Sequence, residues 1–180
     1  MARDLVRLSK FLSKHLRHDP GGLGLELQPG GWVEVAALLS ACARRGVPIS
    51  RSQLEEIVRS SDKQRFALDA DGRKIRANQG HSVEVDLQLA PATPPAELYH
   101  GTAERIVATI LREGLKKMTR HHVHLSSEVE TARKVGGRHG RPVVLAVAAA
   151  AMHAEGVAFF RSENGVWLVD AVAPKFLCVL

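Results

Sequence analysis

A few short stretches concentrate the side chains that could do chemistry. Leu16-Arg17-His18-Asp19 brings a guanidinium fork and a titratable imidazole to the end of a helical pattern. Arginine stays charged and matches phosphate oxygens with a planar fork, whereas histidine moves protons near neutrality. An anion site fits that pair; so does simple C-capping, because a helix C-terminus favours cations. The segment Lys74 to Ser82, KIRANQGHS, packs Arg76, Asn78, Gln79, a glycine and His81 into one polar exit from a hairpin, a dense set of donors for a plain loop.

The second half of the chain carries more candidates. Tyr99-His100-Gly101-Thr102 is expected where a strand meets a helix start, so backbone N–H groups and the Thr102 hydroxyl could serve a phosphate or ribose. A capped helix explains the same residues. His122-Val123-His124-Leu125-Ser126 puts His122 and His124 on one face of a strand beside His121, which raises the question of zinc. No cysteine or carboxylate neighbour offers a fourth ligand, so ordinary strand histidines are the expectation and no metal is assigned. Gly136-Gly137-Arg138-His139-Gly140 precedes a strand-like run instead of opening a helix, so it lacks the context of a dinucleotide fingerprint. It reads as a Gly-rich approach that delivers Arg138, or as a plain loop.

The elements that must position these residues fall into two groups. Leu5, Leu8, Leu12 and Leu16 recur at helical spacing, and the helix must stop by Asp19-Pro20-Gly21-Gly22. A second helix is expected from about Glu34 to Arg45, and a third after Ser50, which has capping-box spacing to Gln53. Arg65 to Asp69 and Lys74 to Ala77 flank an Asp71-Gly72 pair, the chemistry of a two-residue hairpin turn. Helices followed by a hairpin suggest a winged-helix module over residues 1–90. LAPATPPAEL, with Pro91, Pro94 and Pro95, reads as a semi-extended linker, 91–97. Residues 98–180 alternate short helices and strands: Leu98 to His100, a helix over 103–113 ending at Gly114, a strand over 123–125, and a helix capped by Ser127 with Glu130. Strands are expected at Pro142 to Val147, Val157 to Phe160, Val166 to Val169 and Phe176 to Leu180. The class is α+β.

Composition sets outer bounds. The 180 residues are 45% hydrophobic, which excludes disordered and fibrous classes. No apolar run approaches the roughly 18 residues of a membrane span, and the first residues do not form a signal-peptide core, so a cytoplasmic protein is expected. Cys42 and Cys178 read as buried free thiols. The net charge of +6 is shared, with 14 Lys/Arg against 11 Asp/Glu before residue 91 and 11 against 8 after it. On a helical wheel Arg3, Arg7, Lys10, Lys14 and Arg17 form a stripe roughly 80° wide opposite the leucines. A nucleic-acid backbone would satisfy that stripe, and a solvated face is the plain alternative.

LSKFLSKHLRHD, DKQRF, KIRANQGHS, YHGT, HVHLS, GGRHGRPVVL and SENGVWL occur in the order and approximate spacing of the NAD-dependent RNA 2′-phosphotransferases, and the chain resembles that family from about Leu8 to Leu177. The resemblance implies a catalytic quartet at Arg17, His18, Arg76 and Arg138. It implies NAD, consumed as co-substrate, at His100, Gly101, Thr102, His124 and Ser126 in an ADP-ribosyltransferase-like lobe. Lys14, Asn78, Gln79 and His81 are then expected on the RNA, which by resemblance is tRNA-like and arises in tRNA splicing. A monomer without membrane contacts is expected. The matching third-strand position is read as Val169, where many protein-modifying relatives carry Glu; a phosphate that is already an anion needs no carboxylate base. Ala148 stands where the family often has Asp.

The implied reaction has two steps. The RNA 2′-phosphate attacks the anomeric carbon of the nicotinamide ribose and expels nicotinamide, giving 2′-phospho-ADP-ribosylated RNA. The ribose 2″-hydroxyl then attacks phosphorus, which releases 2′-OH RNA and ADP-ribose 1″,2″-cyclic phosphate. Positioning and charge stabilisation carry much of such chemistry. Two other functions compete at this point: a non-enzymatic winged-helix regulator that senses a nucleotide, and an ADP-ribosyltransferase that caps a terminal phosphate and stops after the first step.

Overall fold

The computed structural model describes residues 2–61, 64–138 and 140–180, with Ala2 and Arg3 described by their backbone alone. The Arg3 side chain, Asp62 and Lys63 of DKQRF, and His139 of GGRHG therefore lie outside the described residues. The chain divides into two compact units, one through Gln88 and one from Leu89.

In the first unit, helix α1 (Ala2–Arg17) turns Leu8, Leu12 and Leu16 into the core and leaves Arg7, Lys10 and Lys14 exposed, as the wheel predicts. It stops where Lys14 O accepts from both His18 N–H and Asp19 N–H, ahead of Pro20. Strand β1 (Trp32–Glu34), too short to show alternation in the sequence, runs straight into α2 (Val35–Arg44). Gly46, at φ +72°, follows α2 in the left-handed region that ends many helices. Helix α3 (Arg51–Arg59) has the expected capping box, with Ser50 Oγ accepting from Gln53 N–H at 3.2 Å and Gln53 Oε1 accepting from Ser50 N–H at 2.9 Å.

Strands β2 (Phe66–Leu68) and β3 (Lys74–Ala77) form the predicted hairpin, but its turn differs from expectation. Residues 70–73 form the loop: Gly72 N–H donates to Asp69 O, and Asp69 Oδ1 accepts from Lys74 N–H. A two-residue type I′ turn needs positive φ at both central residues, and only Gly72, not Asp71, has it. The sheet order is β1-β3-β2, antiparallel throughout. Alternation along β3 sends Ile75 and Ala77 inward and leaves Lys74 and Arg76 half-exposed on the other face.

The second unit opens with the Pro-rich stretch, which lies against its own fold: Pro91 bridges Phe160, Ala92 N–H donates to Phe159 O at 2.8 Å, and Pro94 is buried. Strand β4 (Leu98–Ala103) is followed by a 3-10 turn and α4 (Val107–Glu113), which Gly114 ends at φ +81°. Next come β5 (Leu115–Lys116), β6 (Val123–Leu125), α5 (Val129–Gly136) and β7 (Pro142–Val147). Helix α6 (Ala149–Ala154) and strands β8 (Phe160–Arg161), β9 (Trp167–Val169), β10 (Ala171–Val172) and β11 (Leu177–Val179) complete it. The antiparallel sheets are β11-β7-β4, β6-β9-β8 and the pair β10-β5. Leu98, Leu145, Val147, Val123, Leu125 and Trp167 contribute to one core. Helices together with small antiparallel sheets make the chain α+β, as expected.

Several local expectations need correction. Helix α5 starts at Val129 with Glu128 as its cap, so the Ser127–Glu130 box does not form; Ser126 Oγ instead accepts from Glu128 N–H and takes up the turn. The sequence reading also missed α6, β5 and β10, each too short to establish a period. Ala148 caps α6 without a side-chain bond, so an Asp there would supply the hydrogen bond that alanine lacks. Cys42 is buried as expected, and burial pushes its thiol up to about 11, but Cys178 is exposed on β11. No helix among the described residues is long and apolar enough to cross a membrane.

Candidate functional site

In the first unit the end of α1 is tied to the loop that leaves β3. Arg17, half-buried, donates from Nη2 to Arg65 O at 3.3 Å, and the same carbonyl accepts Asn78 N–H at 3.0 Å. Its own carbonyl accepts Ser82 N–H at 2.9 Å. Gly80 passes beside the Arg17 guanidinium at φ +86°, where a Cβ would fit in space but not in conformation. His18 is exposed, with Nδ1 2.9 Å from Ser82 Oγ. Arg17 and His18 are therefore held to the segment that begins at Arg76, although some 60 residues separate them in sequence.

Arg76 has its own support. It pairs across the sheet with Trp32, its guanidinium carbon lies 4.6 Å from the indole centroid, and Nη1 donates to Gly30 O at 3.3 Å. Stacking on an aromatic face keeps the fork planar and oriented, a geometry that lysine cannot reproduce. Gly30 is at φ +81°, and a Cβ there would stand 2.9 Å from the indole, so the turn and the stack require glycine together.

The residues expected on the RNA divide. Lys14 is exposed, 3.9 Å from the Asp19 carboxylate, and Gln79 is half-exposed. Asn78 is buried and donates to Gln64 O at 2.7 Å. His81, at 1% exposure, packs behind Gly31 and beside Leu87. Both side chains are buried in the loop, unlike those of Lys14 and Gln79. His15, which the sequence reading passed over, is buried beneath the same turn with Nδ1 2.9 Å from Asp19 O. Its i,i+4 spacing to Asp19 was the available signal. Trp32 and Ser82 were also missed, because their contacts with Arg76 and His18 depend on strand register and loop path.

In the second unit Tyr99-His100-Gly101-Thr102 lies wholly inside β4, paired with Ala146, Leu145, Val144 and Val143, and not at a strand-to-helix junction. The ladder extends β4 to Ala103 because β7 pairs along its full length. His100 is half-buried, and burial lowers its imidazole pKa, partly offset by the His124 carbonyl, while Arg120 lowers it further. Nδ1 lies 3.1 Å from that carbonyl, which only accepts, so the ring donates there and the neutral form presents Nε2 as an acceptor. At Gly101 an added Cβ would fall 1.6 Å from Ala132 O, and at Gly136 one would fall 2.7 Å from Thr102 O, so the two glycines let α5 lie directly on β4. Thr102 is buried. The Ser126 hydroxyl bonds to both N–H and carbonyl of Glu128, fixing the entry to α5.

Val169 pairs with Val123 and faces the core, whereas His124 pairs with Leu168, which pairs in turn with Phe160. Strand alternation makes Leu168 the residue on the His124 face; it too is apolar. His122 packs its ring 5.7 Å from Phe160, and burial lowers its pKa against the opposing pull of Asp170. Among the described residues no group of three His, Cys, Asp or Glu is placed to hold a metal ion. Arg138 lies just past α5, exposed, with its backbone N–H on Val135 O at 3.3 Å; its side chain makes no hydrogen bond or ion pair with another described residue.

The first unit thus gathers two arginines and a histidine by named contacts, while the second holds one half-buried histidine whose Nδ1 faces a carbonyl and one exposed arginine. Known proteins resemble this chain over nearly its whole length. A family model described as RNA 2′-phosphotransferase, Tpt1 / KptA family, matches residues 3–171. A protein of Nostoc punctiforme is 60% identical over 96% of this chain and 96% of its own length. One of Trichormus variabilis is 62% identical over 96% and 94%, and one of Herpetosiphon aurantiacus 55% identical over 98% and 97%. Each of the three is named "Probable RNA 2′-phosphotransferase". With the match spanning nearly the whole chain at these identities, this protein belongs to the RNA 2′-phosphotransferase, Tpt1 / KptA family.

Proposed function

We propose that the protein is an enzyme that removes an internal 2′-phosphate from RNA by transferring it to NAD, in the two steps given above. The observation that carries this reading is the tie between the end of α1 and the exit of β3, which groups Arg17, His18 and Arg76 around one stretch of backbone. Two planar forks beside an imidazole suit a phosphate that must first be oriented and then exchange a proton. Arg17 and Arg76 hold phosphate oxygens, a role the resemblance also gives Arg138, and His18 carries the proton of the second step, since arginine does not titrate near neutrality.

The first unit is read as a winged-helix-like RNA-binding module, supported by the element order α1-β1-α2-α3-β2-β3 and the sheet order β1-β3-β2. The exposed Arg7, Lys10 and Lys14 offer charge to an RNA backbone. The second unit is read as ADP-ribosyltransferase-like. Its fit to NAD rests on His100, whose Nε2 is set as an acceptor for a ribose hydroxyl, and on the half-buried His124 beside the apolar Leu168 and Phe160. A tRNA-like RNA is the proposed substrate.

The test is incubation with a 2′-phosphorylated oligoribonucleotide, with and without NAD, and mass analysis of all products. Only with NAD should 2′-OH RNA, nicotinamide and ADP-ribose 1″,2″-cyclic phosphate form together. Phosphate loss without NAD, or an end product that stays ADP-ribosylated, defeats the proposal.

A further inference from the structure

Ser82 has no part in the chemistry above, yet it touches both residues at the end of α1. Its backbone N–H donates to Arg17 O at 2.9 Å, and its Oγ lies 2.9 Å from His18 Nδ1. Val83 N–H approaches the same Arg17 carbonyl at 3.4 Å, so the backbone that carries the hydroxyl is anchored at two consecutive residues. His18 itself is exposed and lies beyond the helix, where an unrestrained imidazole would change rotamer on a ps–ns timescale and populate both neutral tautomers. Which ring nitrogen carries the proton is set by the hydrogen bond that the ring makes.

We infer that Ser82 is a positioning residue: it accepts from His18 Nδ1–H, fixes the ring, and leaves Nε2 as the nitrogen that exchanges a proton with the substrate. This inference rests on the proposed role of His18 in the second step. There the ribose 2″-oxygen bonds to phosphorus while the bond from phosphorus to the RNA 2′-oxygen breaks. Nε2 takes the proton of the 2″-hydroxyl and delivers it to the departing 2′-oxygen, so the ring ends neutral and no other reactant is consumed. Through both transfers Nδ1–H keeps its bond to Ser82 Oγ, and the ring need not turn between accepting and donating. A hydroxyl serves here because it accepts while its own proton points elsewhere.

Two measurements test the assignment. Ser82→Ala keeps the backbone N–H that reaches Arg17 and removes only the hydroxyl. In protein labelled with 15N-histidine and without substrate, neutral His18 should carry its proton on Nδ1 in the wild type, shift toward the Nε2–H form in S82A, and return in S82T. With 2′-phosphorylated RNA and NAD, S82A should prolong the ADP-ribosylated RNA about three- to tenfold, the weight of one hydrogen bond, with rescue by S82T. A wild-type ring protonated on Nε2, or an unchanged intermediate lifetime in S82A, overturns the inference. If the wild type released no nicotinamide at all, the proposed function would fall, while the ring tautomers would still decide whether Ser82 sets the state of His18.

Discussion

Arg76 and Arg138 carry the same side chain into opposite settings. Arg76 stands on a strand, stacked on Trp32 and bonded to Gly30 O, with a buried residue on either side of it in β3. Arg138 follows a helix end, exposed, with its contact to the fold made through its backbone. A fork held in advance lowers the ordering cost of gripping a phosphate, whereas a fork on a loop meets that cost when the ligand arrives. The proposed catalytic residues therefore divide into a built half and a delivered half, and substitutions should separate the two.

The largest effects belong to the built half. Arg17→Ala and Arg76→Ala should each slow phosphate removal by about 10²–10³-fold, the range seen when a preorganised charge donor is removed. Arg76→Lys should recover little, because an ammonium neither stacks as a plane nor forks. Single-turnover rates with 2′-phosphorylated RNA measure both; an active R76K enzyme would show that charge alone is needed. His18→Ala should release nicotinamide yet accumulate ADP-ribosylated RNA, with the second step slowed by about 10²-fold as general acid–base assistance is lost. An unimpaired second step would remove His18 from that role.

Next in size is the scaffold of the second unit. Gly101→Ala places a methyl group 1.6 Å from the Ala132 carbonyl, a backbone atom that cannot step aside without moving α5. Overpacking of this kind costs about 1–3 kcal/mol or more, read as a lowered midpoint in thermal unfolding. An unchanged midpoint would mean that α5 does not lie on β4 this closely.

Acid should act on the same unit. Burial holds the folded-state pKa of His100 below its ordinary value of about 6.5, so the unfolded chain binds more protons there. Its contribution to stability is complete above about pH 6.5 and is lost as pH falls below that value. Replacing His100 with Gln should flatten this part of the stability–pH curve; an unaltered curve would place the acid sensitivity elsewhere.

The smallest stability effect is expected at Arg138. Arg138→Ala should leave the unfolding free energy within about 0.5 kcal/mol of wild type, because the side chain is exposed and makes no hydrogen bond or ion pair with another described residue. It should still slow phosphate removal, which would set it apart from R76A, where activity and stability fall together. Equal destabilisation by the two substitutions would erase the distinction between built and delivered halves.

Much of this molecule follows from short-range rules. Leucine spacing sets α1, Asp19-Pro20 ends it, Ser50 and Gln53 cap α3, and glycines close α2 and α4. The order of the motifs alone points to the family. Rules of that range rest on neighbours within one turn of helix or one step of strand, which a sequence displays directly. They fail where an element is too brief to repeat, as at β1, β5 and α6, or where several local hydrogen bonds compete. At Asp69-Ala70-Asp71-Gly72 the Asp69 side chain closes a four-residue loop, and at Ser126 a hydroxyl takes the helix entry that Ser127 was expected to hold.

The sequence by itself determined which side chains are present for phosphate chemistry and where the longer helices and strands run. Tertiary structure alone decided that Trp32 lies under Arg76, that Ser82 meets His18, that Leu168 and not Val169 shares a face with His124, and that Cys178 is exposed while Cys42 is buried. Each of these depends on register or on the path of a loop between distant residues. A shift of one residue in pairing turns every strand side chain to the opposite face, and no local pattern fixes that choice until the strands meet.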